Sequence, residues 1–190
     1  MNTIPVLIAS KDYKALLDTC EQEEIQYNQL EIIYPIYLAG CILTNDLQSA
    51  RHVRKRILVN KTSSPEIEAI WTVVVDLIKK AYPQVYQDLS QFEWSEWMQP
   101  LIEQIKENTR EHLFYLISQV YTSMELSQAS QYFGVSEEEA LQEMTNRGWK
   151  YNESTRILYP TKTTFPTLAT THHPQHFEKL ADIVLSLEKF

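Results

Sequence analysis

Glycine is almost absent from this chain, and its scarcity limits what the chain can fold into. Only three of the 190 residues are glycine, at Gly40, Gly134 and Gly148, against a usual share of about 7%. Tight hairpin turns commonly need glycine, so the sequence favours long helices over many hairpins. Three glycines so placed cannot form the phosphate-binding patterns GxGxxG or GxxxxGK[ST]. Rossmann-type and Walker-type nucleotide binding are therefore not expected.

Apolar residues recur at helical spacing through the first two thirds of the chain. A period of 3.6 residues predicts a helix, and a polar cap or a proline in the first turn marks its start. Pro35 therefore suits the start of one helix, Ser64-Pro65 starts another, and Pro83 should end that helix. The predicted helices cover residues 12–24, 35–44, 47–57, 65–82, 84–91 and 100–121.

Two helical hairpins form a weak internal repeat in this part of the chain. Residues 37–57 and 71–92 each follow the order helix, short polar turn, helix. They are offset by roughly 34–37 residues, the size of a tetratricopeptide-like (TPR-like) repeat. Each hairpin has an apolar face that it cannot bury alone, so the hairpins should stack into a small solenoid. We therefore predict a mainly α fold.

The pattern changes near residue 122, where shorter elements follow one another. Residues 122–126 (TSMEL) favour a short strand and residues 127–133 a short helix. Ser136 and Glu139 form a capping box for a second helix that ends at Gly148, and a hairpin follows. Strand, helix, turn, helix and hairpin is the order of a winged helix. The predicted organisation is a helical-repeat region over 1–122, a winged-helix subdomain over 123–162, a linker over 163–176 and a C-terminal helix over 177–190.

The last part of the chain combines this linker with one more amphipathic helix. Residues 160–175 hold six Thr and three Pro without a regular period, which is typical of a linker. An apolar seam runs along the predicted helix beyond it. Such a seam either folds back onto the chain's own domains or enters a helical bundle with other chains, and we favour the bundle. The seam consists of Phe177, Leu180, Ile183, Val184 and Leu187.

Charge argues against nucleic acid as the partner of the winged helix. The chain carries 17 basic and 25 acidic residues, a net charge of −8. A DNA-binding winged helix presents Lys, Arg, Asn or Gln from its second helix. Here that helix has four Glu, three of them consecutive, against Arg147. We therefore predict a protein-docking module, with nucleic-acid binding as the remote alternative.

One basic run, RHVRKR over residues 51–56, stands out in this acidic chain. It could serve as a nuclear-localisation signal or an RNA-binding patch. Apolar residues interleave with it at helical spacing, however, so we favour the solvated face of a helix. The inward positions of that helix are Leu47, Ala50, Val53 and Ile57.

Few side chains form a pattern that catalysis needs. Cys20 and Cys41 lie in apolar helical stretches and should be buried thiols in a reducing compartment. His112 is expected in the core. A histidine cluster has zinc-like spacing but lies in the linker without a third ligand nearby; its members are His172, His173 and His176. A hydrolase that uses Cys41 or this cluster stays an alternative, but no base–nucleophile pair supports it.

The remaining sequence features point to a soluble intracellular protein without a bound small molecule. The first residues lack the basic region of a signal peptide, and no apolar run approaches the roughly 18 residues of a membrane span. We predict no enzyme activity, metal, cofactor or small-molecule site. The tryptophans are expected to pack in the core, at Trp71, Trp94 and Trp97.

Several stretches together resemble one protein family. They are NDLQSARHVRKRI (45–57), IWTVVVDLIKKAYPQVY (70–86), FEWSEWMQPLIEQIKENTR (92–110), LISQVYTS (116–123), FGVSEEEA (133–140) and GWKYNESTRILYP (148–160). Helical hairpins, a winged helix with an acidic second helix and a terminal helix resemble the PCI-domain family. That family supplies scaffold subunits to the proteasome lid, the COP9 signalosome and translation initiation factor three. The resemblance covers most of residues 36–160 and is closest to the signalosome members.

The resemblance implies a non-catalytic assembly subunit of the signalosome, the complex that removes Nedd8 from the cullins of cullin-RING ubiquitin ligases. It implies winged helices that meet edge to edge, terminal helices gathered in a bundle, subunit three as the neighbour, and a cytoplasmic and nuclear location. A subunit of the proteasome lid or of initiation factor three is the alternative. The implied partner-binding residues are Met124, Tyr151, Ile157 and Tyr159 on the winged helix, and Phe177, Leu180, Ile183, Val184 and Leu187 on the terminal helix.

Overall fold

A computed structural model describes residues 3–26 and 29–161. In this part of the chain the fold is mainly α, as predicted, with a small three-stranded sheet. The helices are α1 Ile4–Ser10, α2 Tyr13–Ile25, α3 Leu30–Leu43, α4 Leu47–Val59, α5 Pro65–Lys79, α6 Tyr82–Gln91, α7 Gln99–Val120, α8 Leu126–Phe133 and α9 Glu137–Asn146. The strands are β1 Met124–Glu125, β2 Lys150–Asn152 and β3 Ile157–Tyr159. The predicted linker, the histidines within it and the helix over 177–190 lie outside the described residues.

Polar side chains start several helices where the sequence predicts them. Asp46 and Ser64 each accept a hydrogen bond from the backbone N–H three residues later, at 3.0 and 3.2 Å. Ser136 and Glu139 form the predicted capping box at the start of α9. Each such bond satisfies a donor that the first helical turn leaves unpaired, which typically stabilises the chain by about 1 kcal/mol.

Two prolines take positions that differ from the predicted ones. Pro35 lies inside α3, which already begins at Leu30. Its missing N–H costs one helical hydrogen bond, but the surrounding turns of α3 are buried, and this packing outweighs the loss. Pro83 does not end α5, which stops at Lys79. It lies instead in the first turn of α6, where a missing N–H has no helical partner to lose.

The helices end almost without glycine. Lys11, Asn45, Lys61 and Lys80 follow α1, α3, α4 and α5, each in the left-handed conformation with φ between 52° and 60°. In this conformation a residue with a Cβ has a conformational energy about 1–2 kcal/mol higher than glycine. The lysines bring a positive charge to the negative end of the helix dipole, which offsets part of that cost. The glycine count therefore does not exclude tight turns, because lysine and asparagine form them.

Helix α3 is the centre of the larger hydrophobic core. Its residues 33–41 are all buried, and it packs against α2, α4, α5 and α7. Cys20 and Cys41 are free thiols buried in this core, as the sequence predicts. The nearly continuous burial of α3 explains why its sequence is apolar on all sides rather than along one stripe.

Two residues expected in the core lie at the surface. His112 is exposed on α7, because the buried stripe of that helix runs through Leu113 and its neighbours at helical spacing. Trp97 is 48% exposed, since it belongs to the turn before α7 rather than to the stripe. The other two tryptophans, Trp71 and Trp94, are half-buried against the larger core.

A buried polar network joins α2, α3 and α4. Tyr34 donates to the Glu24 carboxylate at 3.0 Å and accepts from Nδ2 of Asn60 at 2.6 Å. Arg56 Nε donates to both carboxylate oxygens of Glu24, at 2.8 and 3.1 Å. The guanidinium of Arg56 also lies 5.4 Å from the centre of the Tyr37 ring. Glu24 is buried, so its charge depends on Arg56 for compensation.

Replacing Arg56 by Ala should lower the free energy of unfolding by about 2–3 kcal/mol, because the buried Glu24 carboxylate loses its cation. Arg56→Lys should recover only part of this, since an ammonium group does not reproduce the planar contact with Tyr37. The control is Arg51→Ala in the same helix, which removes an exposed side chain that donates to Gln48 and should cost under about 0.5 kcal/mol. Urea unfolding measures these values, and equal losses at the two arginines would contradict the prediction.

Two carboxyl groups face each other between α5 and α6. Asp76 is buried beside Asp88, and one carboxyl oxygen of each has no hydrogen-bond partner in the described residues. Gln84 donates to the other oxygen of Asp88 at 3.0 Å. Burial, with a smaller contribution from the hydrogen bond and charge of Asp88, raises the pKa of Asp76 above its ordinary value.

This pair should make the stability of the chain depend on pH. The native state holds the proton of Asp76 more tightly than the unfolded state does, so the group contributes stability below about pH 4. That stability is lost as the pH rises through the raised native pKa. Asp76→Asn should therefore match the wild type near pH 4 and exceed its stability towards pH 8. Urea unfolding over this range measures the difference, and the exposed control Glu93→Gln should show no such trend. A difference that is constant with pH would contradict the prediction.

A smaller core lies where the long helices meet the sheet. The sheet is antiparallel with the strand order β1-β3-β2. Its core includes side chains of α8, α9 and the strands, but also Tyr86 of α6 and Leu113, Phe114 and Ile117 of α7. Phe114 stacks on Trp149 with ring centres 5.1 Å apart. The helical part and the sheet therefore share this core, while the division of the chain at residue 122 stays a prediction.

Candidate protein-docking surfaces

The register of the sheet separates the four residues predicted to bind partners on it. Met124 and Tyr151 both pair with Leu158, so these side chains share the face that covers the smaller core. Ile157 and Tyr159 flank Leu158 and therefore lie on the opposite face. Met124 is 3% exposed whereas Tyr159 is 40% exposed. Met124 thus offers a partner its backbone and not its side chain; the binding role of all four residues stays a prediction.

Both outer strands have a free edge in the described part of the chain. Because β3 lies in the middle, β1 and β2 each pair on one side only. A free edge presents backbone N–H and C=O groups that a strand of another protein can pair with. These strands are two and three residues long, so a stable contact also needs side chains from the open face of the sheet, such as Tyr159 on the central strand.

Helix α9 is acidic, and the cations near it are already paired. Glu137 forms an ion pair with Arg156 of the hairpin. Arg147 donates to Glu111 of α7 at 2.6 Å and to Glu143 of α9 at 2.9 Å. The helix dipole stabilises consecutive glutamates at an N-terminus, but a phosphate backbone would meet their carboxylates there. The charge of this helix is therefore unfavourable for contact with a phosphate backbone.

The basic run over residues 51–56 is largely occupied within the fold. The two terminal nitrogens of Arg54 donate to the two carboxylate oxygens of Glu68, each at 2.8 Å. The same guanidinium lies 5.5 Å from the centre of the Trp71 ring, and Arg56 belongs to the buried network with Glu24. The inward residues of this helix are buried as predicted, at Ala50, Val53 and Ile57. The run is therefore one face of a packed helix, with two of its arginines committed to internal ion pairs.

The buried thiols are poor candidates for catalysis. Burial raises the pKa of Cys20 and of Cys41 to about 12, so neither is a thiolate at neutral pH. Within residues 3–26 and 29–161, no three His, Cys, Asp or Glu side chains lie close enough together to hold a metal ion. No helix in the same ranges is both long enough and apolar enough to cross a bilayer.

One family model matches a stretch of this chain that includes both the helical hairpins and the sheet. A sequence model of the CSN8/PSMD8/EIF3K family matches residues 28–166, which is more than half of the 190 residues. The chain belongs to this family. The match starts just before α3 and continues past β3, so the part shared with the CSN8/PSMD8/EIF3K family includes both helical hairpins and the sheet. Helices α1 and α2 precede it.

Relatives from distant organisms match this family member over almost their whole length. Each of the three described here is named COP9 signalosome complex subunit 8. The Danio rerio protein is 31% identical over 194 residues, which cover 96% of this chain and 97% of the relative. The Dictyostelium discoideum protein is 30% identical over 187 residues, with 96% and 95% covered. The Arabidopsis thaliana protein is 22% identical over 165 residues, with 83% of each covered.

Sequence reasoning missed the contacts that join distant segments. Arg147 pairs with Glu111, which lies 36 residues earlier, and Arg110 donates to the Phe133 carbonyl at 3.2 Å. No local sequence pattern predicts such pairs, because the spacing of residues within one helix does not show which other helix that helix packs against. The exposure of Trp97 did have a signal, since this residue comes just before the apolar stripe of α7 begins.

Proposed function

We propose that this chain is subunit 8 of the COP9 signalosome and that it acts there as a non-catalytic scaffold. The observation that carries the proposal is the similarity to proteins of that name over 96% of this chain and 97% of the Danio rerio relative. The buried thiols are unreactive, and the helical part and the sheet share the smaller core. Both features suit a structural subunit better than a hydrolase. Its task would be to hold together the complex that removes Nedd8 from cullins.

We also propose that residues 123–162 form a winged helix and that the helical hairpins are TPR-like. The order β1, α8, α9, β2, β3 and the antiparallel sheet support the winged helix. The capping box at the start of α9 supports it further. In the helical part, α3 packs against α4 and α5 packs against α6, as stacked hairpins require.

The proposed partners are other signalosome subunits, with subunit three beside the sheet. The free edges of β1 and β2 would admit a strand, and Ile157 and Tyr159 lie on the face that the chain leaves open. The terminal segment 177–190 would enter a bundle with the corresponding segments of other subunits. An acidic α9 suits such protein contacts. The chain would be present in both cytoplasm and nucleus, where cell fractionation can detect it.

Affinity purification from native extract tests the assignment. The tagged full-length chain should bring down signalosome subunits and cullins, identified by mass spectrometry. Recovery of proteasome ATPases instead would favour a lid subunit, and recovery of ribosomes would favour initiation factor three. A salt-dependent shift of duplex DNA or RNA would favour the remote nucleic-acid alternative. Any of these three results, without signalosome subunits, would overturn the proposal.

Tyr159→Asp should weaken assembly without unfolding the chain. A carboxylate placed at a buried contact costs desolvation, so recovery of subunit three should fall at least about tenfold. The melting temperature should change by under about 2 °C, because Tyr159 lies on the outward face of the sheet. The matched control is Thr155→Asp, which adds the same charge at an exposed position of the β2–β3 turn. Unchanged recovery of subunit three with Tyr159→Asp would exclude this face as the contact.

A further inference from the structure

A groove lies between α1, the start of α2 and the first turns of α7. Its volume is about 770 Å³, which is within the range of binding sites for small ligands and for peptide anchor residues. Apolar side chains from both sides line it. They are Pro5, Ile8, Tyr13, Trp97 and Pro100.

Trp97 is the largest apolar surface that the groove leaves in water. Its turn is held in place by hydrogen bonds: the N–H groups of Met98 and Gln99 donate to the Ser95 carbonyl, each at 3.0 Å. The N–H of Ser95 itself donates to the carboxylate of Glu66 in α5 at 2.9 Å. The side chain of Met98 is buried, which anchors the turn further. The backbone that carries Trp97 is therefore fixed before any partner arrives, and this preorganisation lowers the entropic cost of binding.

The same groove is acidic. Glu96, Glu103 and Glu107 line it against the single cation Lys11. Glu103 and Glu107 are one turn apart on α7, where like charges repel each other. In the described part of the chain, none of the three forms an ion pair within 4 Å, and only Glu107 has its charge acting on a nearby arginine, Arg147. Apolar surface beside unneutralised carboxylates fits an occupant that is both apolar and cationic.

We propose that this groove binds a segment of another protein that carries an aromatic or aliphatic anchor residue flanked by Lys or Arg. The anchor packs against Trp97 and Ile8, and the cations reach Glu103 and Glu107. A cation near the indole gains a further attraction to the face of the ring. This proposal does not rest on the signalosome assignment, because it is argued from the side chains that line the groove.

Charge disfavours the two occupants that this chain itself could supply. Its own segment 177–190 holds three acidic and two basic residues, so it is acidic like the groove. A second copy of the chain has a net charge of −8, and two arginines of its basic run are held in internal ion pairs. A basic segment of a different protein complements the groove better than either.

Peptide binding to the full-length chain tests the proposal. The probe is a fluorescein-labelled peptide of about twelve residues in which Leu pairs alternate with Lys pairs, long enough to bury one anchor. Its anisotropy should rise on binding, less so as salt increases from about 50 to about 300 mM. The peptide should also protect tryptophan emission from acrylamide, because Trp97 is the most exposed tryptophan. A version with Ser in place of Leu should bind at least about tenfold more weakly.

Variants locate the bound peptide. Glu103→Lys and Trp97→Ala should each weaken binding at least about tenfold. Glu138→Lys makes the same charge change on exposed α9 and should leave binding unchanged. Equal losses with Glu103→Lys and Glu138→Lys would mean general attraction to an acidic protein and would overturn the proposal. Absence of peptide binding would also overturn the proposal. Tighter peptide binding after deletion of residues 177–190 would overturn it in favour of the chain's own segment. Self-association of the chain that Glu103→Lys abolishes would overturn it in favour of a second copy.

Discussion

Gly134→Ala should lower the free energy of unfolding by about 3 kcal/mol, whereas Gly148→Ala should lower it by about 1 kcal/mol. Both glycines have positive φ, at 61° and 89°. A Cβ added to Gly134 would lie 2.4 Å from Cγ of Tyr86, while one added to Gly148 would meet no atom within 4 Å. The two substitutions therefore share the backbone strain and differ in the collision with Tyr86.

Tyr86 has little room to move away from this collision. Its side chain is 6% exposed and packs in the smaller core. The added Cβ would also lie 2.8 Å from the Cβ of Tyr86, so a rotation of the ring alone does not relieve the contact. The guanidinium of Arg110 lies 5.8 Å from the centre of the ring, and Arg110 also holds the end of α8 through the Phe133 carbonyl. Relief therefore requires a shift of α6 or of the turn between α8 and α9.

Thermal unfolding measures the difference between the two glycines. For a chain of this length the melting temperature should fall by about 6–12 °C with Gly134→Ala and by about 2–4 °C with Gly148→Ala. In a Tyr86→Ala background the additional cost of Gly134→Ala should shrink but stay above that of Gly148→Ala, because the ring is gone while the Cβ of residue 86 remains 2.8 Å from the added Cβ. Equal losses at the two glycines in the wild-type background would contradict the tight contact.

Removal of residues 177–190 should abolish incorporation into the signalosome and leave the rest of the chain folded. Each large apolar side chain of the predicted seam contributes roughly 1.5–3 kcal/mol when it is buried, and the cost of ordering the segment reduces this gain. Among the described residues, both hydrophobic cores are built from side chains of residues 4–158. Circular dichroism and the melting temperature of the truncated chain should therefore stay close to those of the full chain.

Point variants separate the seam from the mere presence of the segment. Leu187→Lys places a cation in the seam and should reduce co-purified signalosome subunits at least about tenfold. Ser186→Lys adds the same charge at the neighbouring position, which helical spacing puts outside the seam, and should have little effect. Normal co-purification of the truncated chain with its partners would refute the role of this segment.

Local signals in the sequence predicted the helix starts well and the proline positions poorly. Three helices begin with a capping hydrogen bond between residues three apart in sequence, at Asp46, Ser64 and Ser136. The residues that form each cap therefore lie within one helical turn, and a local pattern is enough to predict it. Pro35 is different, because the energy that keeps it inside α3 comes from neighbouring helices. Pro83 follows a left-handed residue, Lys80, that had already ended the preceding helix.

The sequence predicted partner binding for residues of both faces of the sheet, although only one face is open, and their binding role stays a prediction. Alternation along β3 places Tyr159 and Leu158 on opposite faces, but the sequence does not show which face the helices cover. The packing of α8, α9 and the long helix α7 buries the face with Leu158 and Met124, and leaves Tyr159 open. Trp97 differs from these residues, because its place in the turn just before the apolar stripe of α7 already indicates exposure.

Sequence alone determined the mainly α class, the order of the elements from α2 onward, the family resemblance and the acidic character of α9; it missed α1. These properties depend on composition and on spacings of a few residues, which the chain carries whatever its neighbours do. Only the tertiary structure decided which charges are free and which surfaces are open. Glu24 with Arg56, Glu111 with Arg147, and Gly134 with Tyr86 meet across 32, 36 and 48 residues of chain. Such contacts arise when packed elements exclude water from one particular pair of faces, and no local pattern specifies that pair.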